Sequence, residues 1–298
     1  MKKKNKKIKS AIFPVAGMGT RFFPATKASP KEMLPIIDKP LIQYAVEEAV
    51  DAGIENLIFI TNSDKISIKN HFDKSHKIEA ELEKRNKIKE LELIKNILPK
   101  NINCNYITQA QTLGLGHAVL CAKSVVGDNP FVVILADDMI LSSGTGCLSQ
   151  MIERYNSLDA NIIAVEKVEK SLLHNYGIIE GMRKPDSKDW KLSGIVEKPD
   201  NNKAQSDLGV VGRYILNPSI FNILENTHKG SGDEIQLTDA ISSLIAKEEV
   251  YAYEFYGKRF DCGSKLGFLK ATIQYGLSHN ELSVELKKYL KSLDYHAR

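Results

Sequence analysis

The feature that most constrains the fold is a regular alternation of short apolar segments with helical ones through the first half of the chain. The apolar runs are rich in β-branched residues and are bounded by Gly, Asn and Pro, as is typical of buried strands. The predicted strands are Ile8–Val15, Leu57–Thr61, Asn103–Ile107 and Phe131–Leu135, and the predicted helices are Leu41–Ala52, Ile66–Phe72 and Gly116–Ser124. This βαβ rhythm predicts an α/β fold with a parallel, doubly wound sheet covered by helices.

The second half is less regular. Its predicted strands are Asn161–Val168, Gly177–Gly181, Leu192–Val196, Gly209–Leu216 and Val250–Tyr256, and its predicted helices are Pro218–Glu225, Gln236–Lys247 and Lys265–Leu277. Two more helices are expected outside this core. The charged stretch Ile78–Leu98 is expected to form one exposed helix, and Asn280–Leu293 a capped amphipathic helix.

No internal repeat and no Pro/Ser-rich linker divides the chain, so residues 10–278 are predicted to form a single domain with halves at about 10–140 and 141–278. Residues 1–9 are expected to be a basic, flexible tail. Residues 279–298 are expected to hold a C-terminal helix that packs on the chain's own body or on another subunit.

The charge distribution excludes several classes of protein. The net charge is +4, but the first ten residues hold six lysines, and without them the chain carries −2. The body is therefore not a basic nucleic-acid binder. The apolar run after the lysines is shorter than the about 7–15 residues of a signal core, and no stretch approaches the about 20 residues that span a bilayer. The four cysteines form no CxxC pair, as expected for reduced thiols. We expect a cytoplasmic protein.

The strongest local signal for function is the segment from Phe13 to Pro40, which reads FPVAGMGTRFFPATKASPKEMLPIIDKP. A buried strand runs into a glycine-rich loop that also holds Arg21, Lys27 and Lys31. Glycines let backbone N–H groups approach phosphate oxygens, and the three cations suit a polyphosphate. The alternative is a turn that uses glycine for its geometry alone. Phe22 replaces the third glycine of the dinucleotide fingerprint, and no Walker loop is present, so both common nucleotide motifs are disfavoured.

This pattern resembles the sugar-1-phosphate nucleotidylyltransferases, and within them the bacterial branch that uses UTP and glucose 1-phosphate. The resemblance rests on AGMGTRFFPATKASPKEMLPIIDKPLIQY and continues, in order, through LGLGHAV, LADD, YGII, VEKPD, LGVVGRYIL, GDEIQLTDAI and RFDCGSKLGF. It covers nearly the whole chain from Ile8 to about Leu277. It implies a Rossmann-like, mixed and mostly parallel sheet, a nucleotide half over residues 10–140, and a smaller sugar-binding lobe that also completes the metal site.

The resemblance also implies the site residues. The expected catalytic residues are Arg21, Lys31 and Lys198. Nucleotide contacts are expected from Ala16, Gly17, Gly19, Thr20, Gln109 and Gly114, sugar contacts from Gly177, Glu197 and Glu234, and Mg²⁺ ligands from Asp137 and Asp261. The expected substrates and products are UTP, glucose 1-phosphate, UDP-glucose and pyrophosphate. Relatives are usually dimers or tetramers, so a homo-oligomer is expected.

The residues themselves leave alternatives open. The Gln109 amide suits a pyrimidine edge, but it could also be an exposed residue at a strand end. Asp137 and Asp138 follow an apolar strand, where open α/β sheets bind ligands, and Asp138 is the lesser metal candidate. Asp261 could instead cap the following helix.

Two further expectations concern the pair Glu197 and Lys198 and the single residue His117. Neighbouring residues on an extended segment face opposite ways, so Glu197 and Lys198 are not expected to form a simple ion pair. His117 is expected to pack at a helix start and not to be a catalyst.

The implied reaction is a reversible transfer in which the sugar phosphate attacks the α-phosphorus of UTP, with no covalent intermediate and with positioning and electrostatics supplying the rate. Three alternatives stay open: dTTP as donor, an N-acetylated sugar phosphate as acceptor, and a regulatory relative without turnover. Two departures from the family pattern, Thr108 before the base-reading glutamine and the segment TNSDKISIKNHFD, put nucleotide affinity and regulation in doubt.

Overall fold

The computed structural model describes residues 6–62, 65–200 and 204–293. The strands in these ranges are β1 (Ser10–Pro14), β2 (Pro35–Ile36), β3 (Lys39–Pro40), β4 (Asn56–Thr61), β5 (Asn103–Thr108), β6 (Phe131–Ile134), β7 (Asp138–Leu141), β8 (Asn161–Lys167), β9 (Gly177–Arg183), β10 (Asp189–Glu197), β11 (Leu208–Leu216), β12 (Val250–Glu254) and β13 (Lys258–Asp261).

The α-helices in the same ranges are α1 (Leu41–Asp51), α2 (Ile66–Phe72), α3 (His76–Lys84), α4 (Ile88–Lys95), α5 (Leu115–Cys121), α6 (Lys123–Val126), α7 (Cys147–Leu158), α8 (Ser219–Leu224), α9 (Leu237–Ile245), α10 (Lys265–Ser278) and α11 (Ser283–Ser292). Every strand and helix predicted from the sequence overlaps one of these elements.

The centre is a nine-stranded sheet in the order β5-β4-β1-β6-β11-β8-β12-β10-β9. It is mixed, as predicted, and its first four strands are all parallel. Strand β11 then runs antiparallel to both β6 and β8. Most strands of the second half therefore extend the same sheet. Two small two-stranded ladders, β7 with β13 and β2 with β3, lie outside it.

Both faces of the sheet are buried at its centre, which explains why strands such as β1 and β6 are almost entirely apolar. In β1, Ile12 packs into the core on one face, while Ala11 and Phe13 pack into the core on the other. In β6, Phe131 and Val133 alternate with their neighbours in the same way, and every side chain of that strand is fully buried. Helices cover each face, as the βαβ pattern predicts.

The strand order changes direction at β1, because β4 and β5 lie on one side of it and β6 on the other. In open α/β sheets such a switch point leaves a crevice at the carboxyl ends of the strands, where ligands bind. The glycine-rich loop leaves β1 and the Asp137–Asp138 pair follows β6, so the topology brings these two motifs to one crevice.

Two expectations about helices are wrong. Residues 78–98 do not form one helix, because Asn86 adopts a left-handed conformation with φ +54° and separates α3 from α4. The C-terminal helix α11 begins after Leu282, without a side-chain cap. It packs against α10, where a Cβ on Gly276 would lie 2.7 Å from Cδ2 of Leu286.

The ends of the chain were predicted as a basic tail and a subunit contact. Residues 1–5 and 294–298, which belong to those predictions, lie outside the described residues. Within the described part, Ile8 is buried and Lys9 pairs with Glu55 at 2.8 Å, so the ordered chain starts before β1. None of the helices in the described ranges is long and apolar enough to cross a membrane. Homo-oligomerisation stays a prediction.

Candidate active site

The loop after β1 folds back on itself through three short 3-10 turns, Thr20–Phe22, Ala25–Lys27 and Lys31–Met33. Gly19 takes a left-handed conformation with φ +66°, and a Cβ there would lie 3.1 Å from Cβ of Lys31. The Thr26 hydroxyl donates to the Gly19 carbonyl at 2.8 Å and closes the fold-back. Lys31 thereby lies beside the glycines. Ala16 is buried, whereas Gly17, Thr20 and Arg21 are exposed.

Lys31 reaches across the crevice to the motif that follows β6. Its Nζ donates to Oδ2 of Asp137 at 2.6 Å, and about a quarter of each side chain is exposed. Burial acts to lower the pKa of Lys31, but the Asp137 and Glu32 carboxylates outweigh it, so this pKa lies above its ordinary value. Burial likewise acts to raise the pKa of Asp137, but Lys31 outweighs it and lowers that pKa. The pair is fully charged at neutral pH.

Asp261 and Arg21 lie at the same point. A Cβ on Gly263 would lie 2.9 Å from Oδ1 of Asp261, 3.0 Å from Oδ2 of Asp137 and 3.6 Å from Nη1 of Arg21. Four residues far apart in sequence, Arg21, Lys31, Asp137 and Asp261, therefore converge on one surface. Burial, together with the nearby Asp138 and Asp137 carboxylates, raises the pKa of Asp261.

The helix-cap alternative for Asp261 is wrong. The cap of α10 is Ser264, whose hydroxyl oxygen accepts from the Gly267 N–H at 3.1 Å. The Asp261 carboxylate instead accepts from the N–H of Gly263, within its own loop, at 2.9 Å.

Both carboxylate oxygens of Asp138 are already bound by other groups of the protein. Its Oδ1 accepts from Nε of Arg259 at 2.7 Å, and its Oδ2 accepts from the N–H of Gly212 at 2.7 Å. Arg259 also donates to Glu166 at 2.6 Å and to the hydroxyl of Tyr176 at 3.2 Å. Both charged partners, Asp138 and Arg259, are more than 90% buried. This network holds β7 against β13, in a register where Asp138 stands opposite Asp261.

A second buried arginine, Arg213, holds the backbone of the same motif in place. Arg213 is only 1% exposed and pairs with Glu48 of α1 at 2.7 Å. Its other donors bond the backbone carbonyls of Leu135, Gly212 and Asp138 at 2.8–3.1 Å. The turn that presents Asp137 is therefore fixed on both sides.

The carboxylates at the crevice suit a metal that completes its coordination with substrate. Among the described residues, no group of three or more His, Cys, Asp and Glu side chains has a geometry that could hold a metal ion by itself. Asp137 and Asp261 nevertheless converge at one point, and Asp138 is committed to Arg259. Mg²⁺ is commonly held by one or two carboxylates together with substrate phosphates, and two converging carboxylates fit that requirement.

Gln109 lies at the end of β5, on the far side of the glycine-rich loop. It is only 5% exposed, so the alternative of an exposed strand end is wrong. Its amide nitrogen lies 2.9 Å from Nδ1 of His117 and 3.3 Å from the Gly114 carbonyl oxygen. Gly114 has φ +98°, and a Cβ there would lie 2.7 Å from Cβ of Glu234. Glu234 therefore packs against the loop that follows Gln109, and the structure groups it with the expected nucleotide residues.

The expected sugar residues gather at the end of β10. A Cβ on Gly177 would lie 3.2 Å from Oε2 of Glu197, so these two residues adjoin. The expectation that Glu197 and Lys198 form no simple ion pair is wrong, because their charged atoms lie 3.5 Å apart. Lys198 leaves the strand in a left-handed conformation with φ +46°, which turns its side chain toward Glu197. About half of the Lys198 side chain stays exposed.

The sequence reasoning missed the supporting residues Arg259, Glu166, Arg213 and Glu48. Arg259 stands in the quoted motif RFDCGSKLGF and Arg213 in LGVVGRYIL, so the signal was present. Arg213 lies inside a fully buried strand, where a charge needs a partner, whereas Arg259 lies in a short, partly exposed strand.

Comparison with known proteins gives the chain its relatives. Residues 10–276 match the family model described as nucleotidyl transferase. The chain is 47% identical over 289 residues to a UTP–glucose-1-phosphate uridylyltransferase of Staphylococcus epidermidis, covering 97% of this chain and 99% of that one. It is 47% identical to the Escherichia coli protein of the same name, covering 96% of each.

Solved structures agree with the sequence comparisons. A UTP-bound UDP-glucose pyrophosphorylase of Acinetobacter baumannii superposes with a TM-score of 0.90 at 47% identity, covering 97% of this chain and 100% of that one. A UDP-glucose pyrophosphorylase complexed with UDP-glucose gives 0.84 at 43% identity, covering 92% of this chain and 100% of the other. The residues matched by the family model extend over both halves of the sheet. The chain belongs to the nucleotidyl transferase family.

Proposed function

We propose that this chain transfers the uridylyl group of UTP to glucose 1-phosphate and so makes UDP-glucose and pyrophosphate. The observation that supports this most directly is the meeting of Arg21, Lys31, Asp137 and Asp261 at the switch point of the sheet. Two cations and two carboxylates at one surface suit a polyphosphate that arrives with a divalent cation. The relatives named for this activity match nearly the full chain.

Arg21 and Lys31 bind the triphosphate in this proposal. Arg21 is exposed and offers a planar set of donors, which matches phosphate oxygens well. Lys31 is held on Asp137 and exchanges this carboxylate for a phosphate oxygen when UTP enters. Both cations then stabilise the charge that builds up on the leaving pyrophosphate, where electrostatic preorganisation is most effective.

Lys198 aims the attacking group. Its side chain is about half exposed, and its ammonium lies 3.5 Å from Glu197. A sugar phosphate could replace this contact. The phosphate of glucose 1-phosphate is already an anion at neutral pH, so no general base is needed. Glu197 and Gly177 line the place of the sugar, and the Gln109–Gly114 segment that of the uracil ring.

Asp137 and Asp261 would hold Mg²⁺. When bound, the ion would supply positive charge that offsets the repulsion between two anionic substrates. Arg259 keeps Asp138 out of this role and fixes the ladder that carries Asp261.

The test is pyrophosphate release from UTP and glucose 1-phosphate, with and without Mg²⁺. The comparison substrates are dTTP in place of UTP and N-acetylglucosamine 1-phosphate in place of glucose 1-phosphate. Fast, Mg²⁺-dependent release confined to UTP with glucose 1-phosphate is the expected result. A preference for dTTP or for N-acetylglucosamine 1-phosphate would mean that the chain has a different substrate specificity within the same family. Absence of release with every pair, from protein that binds UDP-glucose, would contradict the proposal.

A further inference from the structure

A second ion pair lies directly behind Lys31. Nζ of Lys65 donates to Oε2 of Glu32 at 2.7 Å, and the side chains are only 6% and 2% exposed. Glu32 stands next to Lys31 on the 3-10 turn Lys31–Met33. The pair is therefore almost completely shielded from solvent.

The segment before α2 supports the glycine-rich loop at both of its ends. Asn62, which follows β4, donates its amide N–H to the Ala16 carbonyl at 3.1 Å, where the loop begins. Lys65 bonds Glu32, where the loop ends. Helix α2, whose first residue follows Lys65, packs on the same 3-10 turn. Lys65 does not cap α2 with its side chain, which runs inward to Glu32.

Burying two charges costs free energy, so an ion pair of this kind is weak evidence for stability. Its presence therefore calls for another explanation. Burial raises the pKa of Glu32 and lowers the pKa of Lys65, although each partner opposes the shift of the other. An apolar pair would fill the same space without this cost. What the ion pair adds is a fixed, directional contact between two loops, one of which carries Lys31.

We propose that Lys65 and Glu32 are positioning residues that hold the turn Lys31–Met33 so that the Lys31 ammonium meets the triphosphate in the transfer step. The inference rests on the proposed function. It gives a role to Lys65, a residue of the segment TNSDKISIKNHFD that departs from the family pattern. An error of about 1 Å in a catalytic group can cost about 10²-fold in rate, which sets the size of the expected effect.

The first experiment replaces both partners, as Glu32→Leu with Lys65→Met, so that no unpaired charge is left buried and the chain can fold. We expect a thermal transition close to that of the wild type. The kcat of uridylyl transfer should fall about 10²-fold, with little change in KM for glucose 1-phosphate. A folded double variant with normal kcat overturns the inference.

The second experiment is a cycle between the double variant Glu32→Leu with Lys65→Met and Lys31→Ala. If the buried pair acts through Lys31, its loss should cost little more once Lys31 is gone, so the two effects on kcat are strongly non-additive. A purely structural role predicts effects that multiply, and that result would also overturn the inference.

The matched control is Arg154→Met, which breaks another ion pair to a buried carboxylate. Arg154 contacts Asp189 at 2.6 Å, at the opposite end of β10 from Glu197. The two ends are roughly 25 Å apart along the strand. This variant should lose thermal stability and keep its kcat. A wild-type enzyme without turnover would contradict the proposed function, whereas an active wild type with an unaffected double variant would contradict only the positioning role.

Discussion

Asp137 and Asp138 are neighbours in the chain, yet they belong to two regions with opposite properties. Asp137 faces the crevice, is a quarter exposed, and shares one oxygen with a lysine that is itself part of the surface. Asp138 points into the protein, where Arg259 and the Gly212 N–H take both of its oxygens. We call the first region the crevice surface (Arg21, Lys31, Asp137 and Asp261) and the second the buried support (Asp138, Arg259, Arg213 and Glu48).

The difference shows how a site can be both rigid and reactive. In the buried support every charge has a partner, so its members are fixed and cannot bind a ligand. At the crevice surface the charges are held by contacts that a phosphate or a cation can replace. Loss of a support residue should therefore appear first in stability, and loss of a crevice residue first in activity.

The largest effect is expected from Arg259→Met in the buried support. The change leaves Asp138 and Glu166 without their common partner, and unpaired buried charges cost about 3–5 kcal/mol of unfolding free energy. Urea denaturation followed by circular dichroism measures this loss. An unfolding curve that coincides with that of the wild type would show that Arg259 does not support the ladder of β7 and β13.

Lys31→Ala at the crevice surface should show the opposite behaviour. Turnover is expected to fall by about 10²–10³-fold, because a charge that stabilises the leaving pyrophosphate is removed. The unfolding free energy should change little. Lys39→Ala is the matched control, since Lys39 lies on β3, shortly after the loop, and pairs with Glu47 on the surface at 2.7 Å. Equal activity of the two variants would remove Lys31 from the reaction.

Asp137→Asn and Asp138→Asn compare the two regions at adjacent positions. The Mg²⁺ concentration that gives half-maximal activity should rise about tenfold or more for Asp137→Asn, by analogy with the loss of metal-site groups elsewhere. For Asp138→Asn the main change should be a lower melting temperature. Mg²⁺ titrations of the initial rate, paired with thermal unfolding, distinguish the two. The comparison fails if both variants shift the Mg²⁺ requirement equally.

The crevice surface was largely predictable from the sequence, and the buried support was not. Arg21 and Lys31 stand in a glycine-rich loop after an apolar strand, and Asp137 follows another, so a parallel sheet places them at one edge. Asp261 is 124 residues from Asp137 and meets it through the register of β13 on β7. Neither of these four-residue strands was predicted, because both are too short to show a periodic pattern.

The direction of individual side chains was the second feature that could not be predicted from the sequence. Strand alternation predicted that Glu197 and Lys198 point apart, and the left-handed conformation of Lys198 reversed this. Helix α7 was missed because it begins after Gly146 without a capping side chain. Glu234 packs beside Gly114 through a contact between segments 120 residues apart, and its expected role at the sugar stays a prediction. Such contacts follow from tertiary packing and leave no local signal.

The smallest effect should come from Asp261→Asn. Whether this change raises or lowers the melting temperature tests the idea that the charges of the crevice surface destabilise the fold. Burial and the neighbouring carboxylates raise the pKa of Asp261 in the folded protein. Folding therefore favours its protonated form, and the stability of the wild type falls as pH rises from the ordinary pKa of the side chain through its raised value.

Asparagine carries no charge, so Asp261→Asn should remove this loss. In metal-free buffer the variant should melt higher than the wild type at pH 7, by no more than a few degrees, since changes of this kind are worth about 0.5–2 kcal/mol. The gap should close at pH 3, where Asp261 is protonated in both folded and unfolded chains. An exposed aspartate of α1, changed as Asp51→Asn, should show no such pH-dependent gap. A variant that melts lower than the wild type at pH 7 would mean that the Asp261 carboxylate stabilises its loop through the Gly263 N–H more than its neighbours destabilise it.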